Sequence, residues 1–558
     1  MQRLIMPSFL IAALPVAALA QSGAAREPTL DDLVKLVPDD PALVVVIPDF
    51  SDIVAGVQAF GVAAGVGDLA QFDGDAFFDE FEFSGLPDEW QGCLRRTGPF
   101  IFVLTDAQSE PLLLCTVAEA LAAPPNELIE LKGNILIAAS DAEVMRAVRN
   151  ASGTFAKRFA DRVQPVLVEH DLAIFCDVPS WSVQIEPMLS LGKMFAQMGA
   201  AATTQPTQVS LTMVNWVFEA LRTLVDEART LVVAGRIGAD GVHVSKNVHF
   251  DPTGKVAGYL GKIRKPEKDP LRGLPPTPGT MVMAAEWVTP ADVETINEKM
   301  LDVLLSATSQ PADQAEQPKL TPELRKVYRA LDGYNGVMAF GTQPEGMRAS
   351  GFYLTDRGQA VLDGFEDMWE MATPMMTSMA PGFTMEVSQE GEMVGSVKAL
   401  VYRFKFDAPD EVTRRALQSI YGGSTTLYAA LHPEGVACAI GPAEVARADL
   451  ERIMSAKSAS LSADRRVAEA LKKLSPRPQA FMLLDLPGLM TWATELAELS
   501  GEGMPQFKPP EKPLPYLGFS LYLHESAISA ELFFPAKVAK YIVEQSEAPT
   551  APAPAEPY

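Results

Sequence analysis

The chain has 558 residues, of which 48% are hydrophobic, and it carries a formal net charge of −25 at pH 7. A hydrophobic fraction of this size supports buried cores and excludes a disordered spacer. The negative charge repels phosphate backbones and anionic lipid surfaces, which argues against nucleic acid as a partner.

The first segment of the chain is typical of an export signal. Residues 1–20 read MQRLIMPSFLIAALPVAALA, in which Arg3 precedes an uncharged apolar run that ends in Ala18-Leu19-Ala20. A short apolar run closed by a small-x-small tripeptide is the pattern that signal peptidases cut. We therefore expect a periplasmic or secreted protein whose mature form begins near Gln21.

No later segment has the sequence of a membrane-spanning helix. The longest uncharged stretch runs from Phe195 to Phe218 and contains Pro206 together with several polar side chains. Polar groups are costly in hydrocarbon, and proline interrupts a helix. We therefore predict a protein without an integral membrane span.

Four cysteines raise the question of a disulfide. Cys93 and Cys115 are close in sequence, whereas Cys176 and Cys438 lie in apolar, strand-like runs. Four cysteines allow three pairings, and the sequence does not choose among them. We predict one bridge, Cys93–Cys115, with the other two cysteines as buried thiols.

The strongest internal signal is a repeat. NILIAASDAEVMRAVRN from Asn134 and GVACAIGPAEVARADLER from Gly435 both read as an apolar strand, a turn and a helix that contains Ala-Glu-Val-x-Arg-Ala. A second helix and a strand that ends in Asp-x-Pro follow in both places, at Asp177 and Asp485. The shared order and residue types predict a duplicated unit.

Each predicted half ends in a hairpin. The first hairpin reads LVVAGRIGADGVHVSKNVHF, with its turn at Gly238 to Gly241, and the second reads YLGFSLYLHESAISAELFF. Alternating apolar and polar positions in adjacent strands are typical of antiparallel sheets with one wet face. The chain is therefore predicted to be an α+β protein of two related halves, each a mainly antiparallel sheet packed with helices.

Composition marks the boundaries of these parts. Five prolines between Arg264 and Gly279 exclude regular helix there, and a Pro/Ala-rich end is typical of disorder. The predicted parts are a signal peptide at 1–20, a first half at 29–265, a Pro-rich linker at 266–279, a second half at 280–545 with a polar loop near 306–320, and a disordered tail at 546–558.

Catalytic and metal-binding motifs are weak. Asp177 and Asp485 recur at strand-to-helix junctions, where an acidic residue followed by proline is typical of a helix cap. Ser190 and Lys193 have the Ser-x-x-Lys spacing of penicillin-binding proteins, but the companion motifs are absent from the sequence. The histidines have no metal-site spacing. We predict no catalytic residue, no metal and no cofactor.

Methionines supply the candidate binding surface. In MWEMATPMMTSM, methionines at offsets of 3, 7 and 11 from the first share one face of a helix. Flexible thioethers line adaptable apolar grooves and are soft ligands for Cu(I), while ordinary core packing produces the same stripe. The predicted ligand-binding residues are Met188, Met194, Met198, Met368, Met371, Met375 and Met379.

In its repeated units, the chain resembles uncharacterised exported bacterial proteins of unknown function that carry a duplicated α+β module. This resemblance implies export and architecture, and it assigns no functional residue. We expect a non-enzymatic protein that binds an apolar small molecule or lipid in a methionine-lined groove. The alternatives are a structural or interaction module that contacts an envelope protein, and an unrecognised hydrolase.

Overall fold

The computed structural model describes residues 27–546, apart from 75, 77–85, 87–89, 91–92, 96, 108, 110, 119–126, 203–207, 264–267, 277–278, 287–329, 342–345, 366–383, 408–410, 422–423, 456–459 and 501–506. The predicted signal peptide, the polar loop near 306–320 and the tail from 547 lie outside the described residues. So do four of the predicted ligand-binding residues, Met368, Met371, Met375 and Met379.

Eighteen strands in the described residues form one sheet. In chain order they are β1 (Leu43–Ile47), β2 (Phe100–Leu104), β3 (Leu112–Thr116), β4 (Ile129–Lys132), β5 (Ile135–Ala138), β6 (Leu172–Asp177), β7 (Ala228–Gly238), β8 (Gly241–Phe250), β9 (Met281–Glu286), β10 (Gly333–Ala339), β11 (Arg348–Leu354), β12 (Thr384–Val394), β13 (Val397–Asp407), β14 (Ser424–His432), β15 (Gly435–Gly441), β16 (Ala480–Leu484), β17 (Leu517–Leu523) and β18 (Ala527–Pro535).

Helices connect and cover these strands. In chain order the described α-helices are α1 (Leu30–Val34), α2 (Phe50–Ala64), α3 (Gly67–Ala70), α4 (Ala142–Arg149), α5 (Thr154–Arg162), α6 (Gln164–Leu167), α7 (Ser182–Ala202), α8 (Gln208–Glu227), α9 (Lys255–Leu260), α10 (Gly358–Asp363), α11 (Glu411–Tyr421), α12 (Ala443–Ser455), α13 (Arg465–Leu471), α14 (Leu486–Ser500) and α15 (Ala536–Ser546).

The strand pairings in the sheet are antiparallel, which confirms the predicted α+β class with a mainly antiparallel sheet. From one edge, the first half has the order β4-β5-β3-β2-β1-β6-β7-β8. The sheet continues through the second half as β18-β17-β16-β9-β10-β11-β15-β14-β13-β12. Read outwards from the middle, the first half runs β8-β7-β6-β1-β2-β3-β5-β4, and the second half runs β18-β17-β16-β9-β10-β11-β15-β14 in the same positions. The second half then continues with β13 and β12. That this order arose by duplication stays a prediction.

The two halves join through β8 and β18, which we call the seam. The register pairs Gly241 with Pro535 and, eight residues along, His249 with Ala527, so its midpoint is Ser245 opposite Glu531. Gly241 has a φ of 147°, and a Cβ there would lie 2.2 Å from the carbonyl oxygen of Phe534. Glycine is therefore required for this close approach of the two strands.

Both faces of the first-half sheet are covered at β1 to β3, so the single wet face that the hairpins led us to expect does not extend to these strands. Val44 and Val46 belong to one buried core, and Phe100 and Leu113 belong to another on the opposite face. Phe50, the first residue of α2, packs into the second core. The face stays dry because α2 and the segment after it pack against strands whose apolar residues point both ways.

The capping interpretation of the recurrent aspartates is confirmed. The carboxylate of Asp177 accepts hydrogen bonds from the backbone and the hydroxyl of Ser180, at 3.3 and 2.6 Å. The carboxylate of Asp485 accepts the backbone N–H of Gly488 at 3.2 Å. Both side chains therefore satisfy amides that the first helical turn leaves unpaired.

The predicted linker is packed over residues 268–276. Leu271 and Leu274 are fully buried in the core of the second half. Arg272 forms ion pairs with Glu286 at 3.0 Å and with Glu434 at 2.9 Å. The prolines exclude a helix, but they leave the leucines free to enter the core, so this segment belongs to the second half.

The four cysteines form no disulfide with one another, so the predicted Cys93–Cys115 bridge is not formed in this structure. The strand register explains why. Leu94 pairs with Val117, and the backbone N–H of Ala118 donates to the carbonyl oxygen of Cys93 at 3.0 Å. Cys93 therefore lies beside Ala118, about 10 Å along the strand from Cys115, beyond the roughly 7 Å that a disulfide spans.

Candidate functional site

A cleft of about 800 Å³ lies on the seam. It is lined by the end of α6 and strand β8 from the first half, and by strands β17 and β18 and the 475–479 loop from the second half. Its volume lies within the range of about 300–1,000 Å³ that is usual for small-molecule sites. We call it the seam cleft.

The floor of the seam cleft is polar. Ser245 and Asn247 of β8 pair with Glu531 and Ser529 of β18, and directly paired residues share a face of the sheet. On β7, the partners of Ser245 and Asn247 belong to the buried core of the first half. One sheet face therefore changes from apolar to polar at the seam.

The 475–479 loop is anchored to the seam by hydrogen bonds. The carboxylate of Glu531 accepts the backbone N–H of Ser475 at 2.6 Å, the hydroxyl of Ser475, and the hydroxyl of Ser520 at 3.2 Å. The side-chain amide of Gln479 bonds to the backbone of Leu523 at 3.0 and 2.9 Å. These bonds saturate Glu531 and fix both ends of the loop.

The hydroxyl of Tyr522 donates a further bond to the carbonyl oxygen of Ser475. Burial raises the pKa of Tyr522, and the charge of Glu531 raises it further. The hydroxyl therefore keeps its proton at neutral pH and remains a donor.

Arg477 occupies the middle of this loop with unusual backbone geometry. Its φ of 60° makes it a non-glycine residue in the left-handed region, and it lies between Pro476 and Pro478. This conformation costs a non-glycine residue about 1–2 kcal/mol. The exposed side chain lines the cleft, and its guanidinium has no ion pair or hydrogen bond with any residue that the structure describes.

Glu169 lies on the first-half side of the same cleft. It follows α6, its side chain is exposed, and its carboxylate has no side-chain partner within the described ranges. Glu169 and Arg477 do not pair with each other, although their charges are opposite and both line the cleft. Among the residues that the structure describes, the lining of the cleft thus includes one unpaired carboxylate, that of Glu169, and one unpaired guanidinium, that of Arg477.

Four of the five histidines lie at the seam: His170 and His524 line the cleft, and His243 and His249 share the polar face of β8. Burial, together with the nearby charges of Arg162 and His524, lowers the pKa of His249 to about 4. His249 is therefore neutral at pH 7.

The hydroxyl of Ser245 lacks a hydrogen-bond partner. Ser245 is only 6% exposed, and no acceptor or donor among the described residues lies within reach of its Oγ. A buried polar group without a partner costs about 1–3 kcal/mol. Ser245 belongs to the lining of the cleft, so this unpaired hydroxyl lies beside the cleft.

The predicted methionine groove is not formed by Met188 and Met194. Both lie on α7 with side chains 72% and 46% exposed, and neither lines the seam cleft. Helix α7 instead packs on α8 through another face, where Gly192 lies beside Phe218. Met198 is also in α7, but its side chain lies outside the description. The periodic stripe predicted for Met368, Met371, Met375 and Met379 lies outside the described residues and stays a prediction.

The described residues were also compared with the requirements of a metal site and of a membrane-spanning helix. Within the described ranges, no group of three or more His, Cys, Asp or Glu side chains could hold a metal ion. In the same part of the chain, no helix combines the length and apolarity needed to cross a membrane. A second cavity, lined by Asp449 and Arg452, has a volume of about 30 Å³ and has room for about one water molecule.

No protein-family model matches this chain, and comparison with curated proteins and with solved structures gives no match either. The residues of the cleft are therefore the basis for a function. Sequence reasoning missed Arg477 and Glu169. The available signals were a Pro-Arg-Pro tripeptide and the polar side of β8, where His243, Ser245 and His249 alternate with valines.

Proposed function

We propose that this chain is an exported binding protein that holds a small polar molecule in the seam cleft. The observation that carries the proposal is the buried hydroxyl of Ser245, a residue of the cleft lining, which has no partner among the described residues. A ligand that bonds to this hydroxyl would remove the cost of leaving it unpaired. The export signal is the basis for placing the protein outside the cytoplasm.

The polar floor changes the expected ligand. An apolar molecule or lipid would bury Asn247 and the Ser245 hydroxyl without supplying hydrogen bonds, which is unfavourable. A polar molecule can bond to both, and to the histidines at the edge of the cleft. We therefore prefer a polar ligand to the apolar ligand that the methionine pattern predicted.

The test compares one serine variant with one threonine variant. Purified protein is screened by thermal shift against a library of polar metabolites, and binding is then measured by calorimetry. Ser245→Ala should weaken binding of a hit about tenfold, the equivalent of about 1.4 kcal/mol. Thr425→Val is the matched control, because Thr425 also has a buried, unpaired hydroxyl but does not line the cleft. Equal binding by wild type and Ser245→Ala would contradict the proposal.

A second candidate function is an interaction module of the cell envelope. One side of α7 exposes large apolar side chains at helical spacing, and contiguous apolar surface of this kind is typical of interaction sites. Their exposed fractions are 77% for Val183, 72% for Met188, 49% for Leu191, 46% for Met194 and 58% for Phe195.

This candidate is tested by charge substitution on α7. Leu191→Glu should abolish capture of a partner from envelope extract, while Val62→Glu, at an exposed apolar position of α2, should leave capture unchanged. Retention of the same partner by Leu191→Glu would exclude this face as the contact surface.

A further inference from the structure

We infer that the ligand of the seam cleft is a small zwitterion, an amino acid or short peptide, whose carboxylate binds Arg477 and whose ammonium binds Glu169. This inference depends on the proposed binding function and names the chemical class of the ligand. The juxtaposition of two unpaired, oppositely charged side chains on the two sides of one cleft is the starting observation.

The carboxylate of the ligand is assigned to Arg477 because the loop backbone that carries this residue is held in place. The loop on either side of it is tied down by Glu531 and Gln479, and the flanking prolines restrict its backbone. A guanidinium presents a planar set of donors that matches a carboxylate in a bidentate pair. A strained residue that is fixed by its surroundings is typical of a functional site.

The cationic end is assigned to Glu169 because the other acidic residue of the cleft is already occupied. Glu531 accepts hydrogen bonds from Ser475 and Ser520, and the bonds from Ser475 anchor the 475–479 loop. The Glu169 carboxylate has no side-chain partner among the described residues, so it can accept an ammonium.

Groups on the floor between these charges match the polar centre of an amino acid or peptide. The Ser245 hydroxyl is unpaired, and the Asn247 side-chain oxygen accepts a bond from Ser529, which leaves the Asn247 amide free to donate. A carbonyl oxygen and an N–H of a peptide group would complement a hydroxyl and an amide.

Ligands with other charges fit this arrangement less well. A purely anionic ligand would leave Glu169 unpaired and repelled, and a purely cationic ligand would do the same to Arg477. A neutral sugar would bond to the floor but leave both charges unused. A zwitterion pairs both, and because Glu169 and Arg477 belong to different halves, it would bridge the two sides of the cleft.

The experiment uses the full mature chain, refolded to remove bound molecules, and titration calorimetry. The probes are a pool of free L-amino acids, a pool of tripeptides with free termini, and the same tripeptide pool after N-acetylation or C-amidation. Each capping reaction removes one terminal charge, so each should weaken binding about tenfold or more relative to the best free pool. Arg477→Gln should abolish the difference between acid and amide forms, and Glu169→Gln should abolish the difference between free and acetylated forms.

Matched controls lie on α4, where Glu143 and Arg146 are exposed and away from the cleft. Glu143→Gln and Arg146→Gln should bind as the wild type does. Capped pools that bind as tightly as the free pools would overturn the zwitterion, as would Arg477→Gln and Glu169→Gln variants with unchanged discrimination. If a singly charged or neutral metabolite binds and Ser245→Ala weakens it, the cleft function stands and the zwitterion alone falls. If no pool and no metabolite binds, both fall.

Discussion

The seam cleft and the neighbouring core of the first half occupy the same face of one sheet, yet their chemistry is opposite. In the core, Phe155 and Phe175 are fully buried and meet edge to face at 5.1 Å. In the cleft, the next strand on the same sheet face carries polar side chains: Ser245 pairs with Ala234, and Asn247 pairs with Val232. The sheet face is apolar under the helices and polar where the cleft opens.

This difference indicates that the residues that stabilise the fold are distinct from the residues that would bind a ligand. A continuous sheet with apolar residues at Ser245 and Asn247 would satisfy the backbone equally well and remove an unpaired hydroxyl. The polar floor therefore contributes little to stability, and the cores on either side contribute most of it. The following predictions test this division, from the largest expected effect to the smallest.

Removal of a core ring should have the largest effect. Phe155→Ala leaves a cavity beside Phe175 and should lower the free energy of unfolding by about 3–5 kcal/mol. Urea denaturation followed by circular dichroism measures this loss. Phe195→Ala, at a site that is 58% exposed on α7, is the control and should change stability by about 0.5 kcal/mol or less. A loss below about 1 kcal/mol for Phe155→Ala would place the main core elsewhere.

Charges in the cores are paired, in contrast to the free charges of the cleft. Arg466 reaches Asp485 at 2.8 Å and stacks 3.9 Å from the ring centre of Tyr516. In the first half, Arg158 lies 4.0 Å from Asp177. The second-half pair is closer and more buried, since its side chains are 18% and 19% exposed rather than 28% and 25%.

Loss of these carboxylates should therefore be unequal. Asp485→Asn leaves Arg466 without its counter-ion and should cost about 2–3 kcal/mol, below the full penalty for a completely buried pair. Asp177→Asn should cost about 1 kcal/mol, because Arg158 keeps an ion pair with Asp40 at 3.1 Å. Urea midpoints of both variants measure the difference. Equal losses would show that burial does not distinguish the two pairs.

The histidines at the seam should make stability depend on pH. The pKa of His249 is about 4 in the folded chain and near 6.5 when unfolded, so between these values only the unfolded state binds the proton. The free energy of unfolding should therefore fall as pH falls from about 6.5 to 4, by about 1–2 kcal/mol after allowance for partial exposure.

His249→Gln should flatten this part of the profile, and thermal unfolding at pH 7, 5.5 and 4.5 would record it. Burial also lowers the pKa of His243, but Asp240 partly offsets the effect. His243→Gln should therefore flatten the profile less. An unchanged slope in His249→Gln would mean that another group causes the acid sensitivity.

The smallest expected effect is an increase in the free energy of unfolding. Ser245→Ala removes the unpaired hydroxyl and should raise the free energy of unfolding of the ligand-free protein by up to about 1 kcal/mol, while it weakens ligand binding. Urea denaturation without ligand measures this gain. A loss of more than about 1 kcal/mol would show that Ser245 has a structural partner.

Local patterns in the sequence predicted the local structure. The hairpins of β7 with β8 and of β17 with β18, and the caps at Asp177 and Asp485, depend on residues close together in the chain, so alternation and residue type were sufficient. The bridge between Cys93 and Cys115 was wrong for this structure because the strand register, which sequence spacing does not reveal, separates them.

The cleft could not be predicted because it depends on contacts between distant residues. Arg477 and Glu169 line one cavity only because β8 pairs with β18. No periodicity in the sequences of β8 and β18 indicates that pairing. For the same reason, Met188 and Met194 could be named as candidates from the sequence, but the side of α7 that packs on α8 could not be predicted.

The pairing of β8 with β18 implies how a single half would behave alone. It would carry an open edge strand with unpaired amides and carbonyls, and two copies would tend to close it as a homodimer. In such a dimer both walls of the central hollow would be identical, so any charge would face its own copy. In this chain the two walls come from different segments and differ in sequence, so one wall contributes Glu169 and the other contributes Arg477.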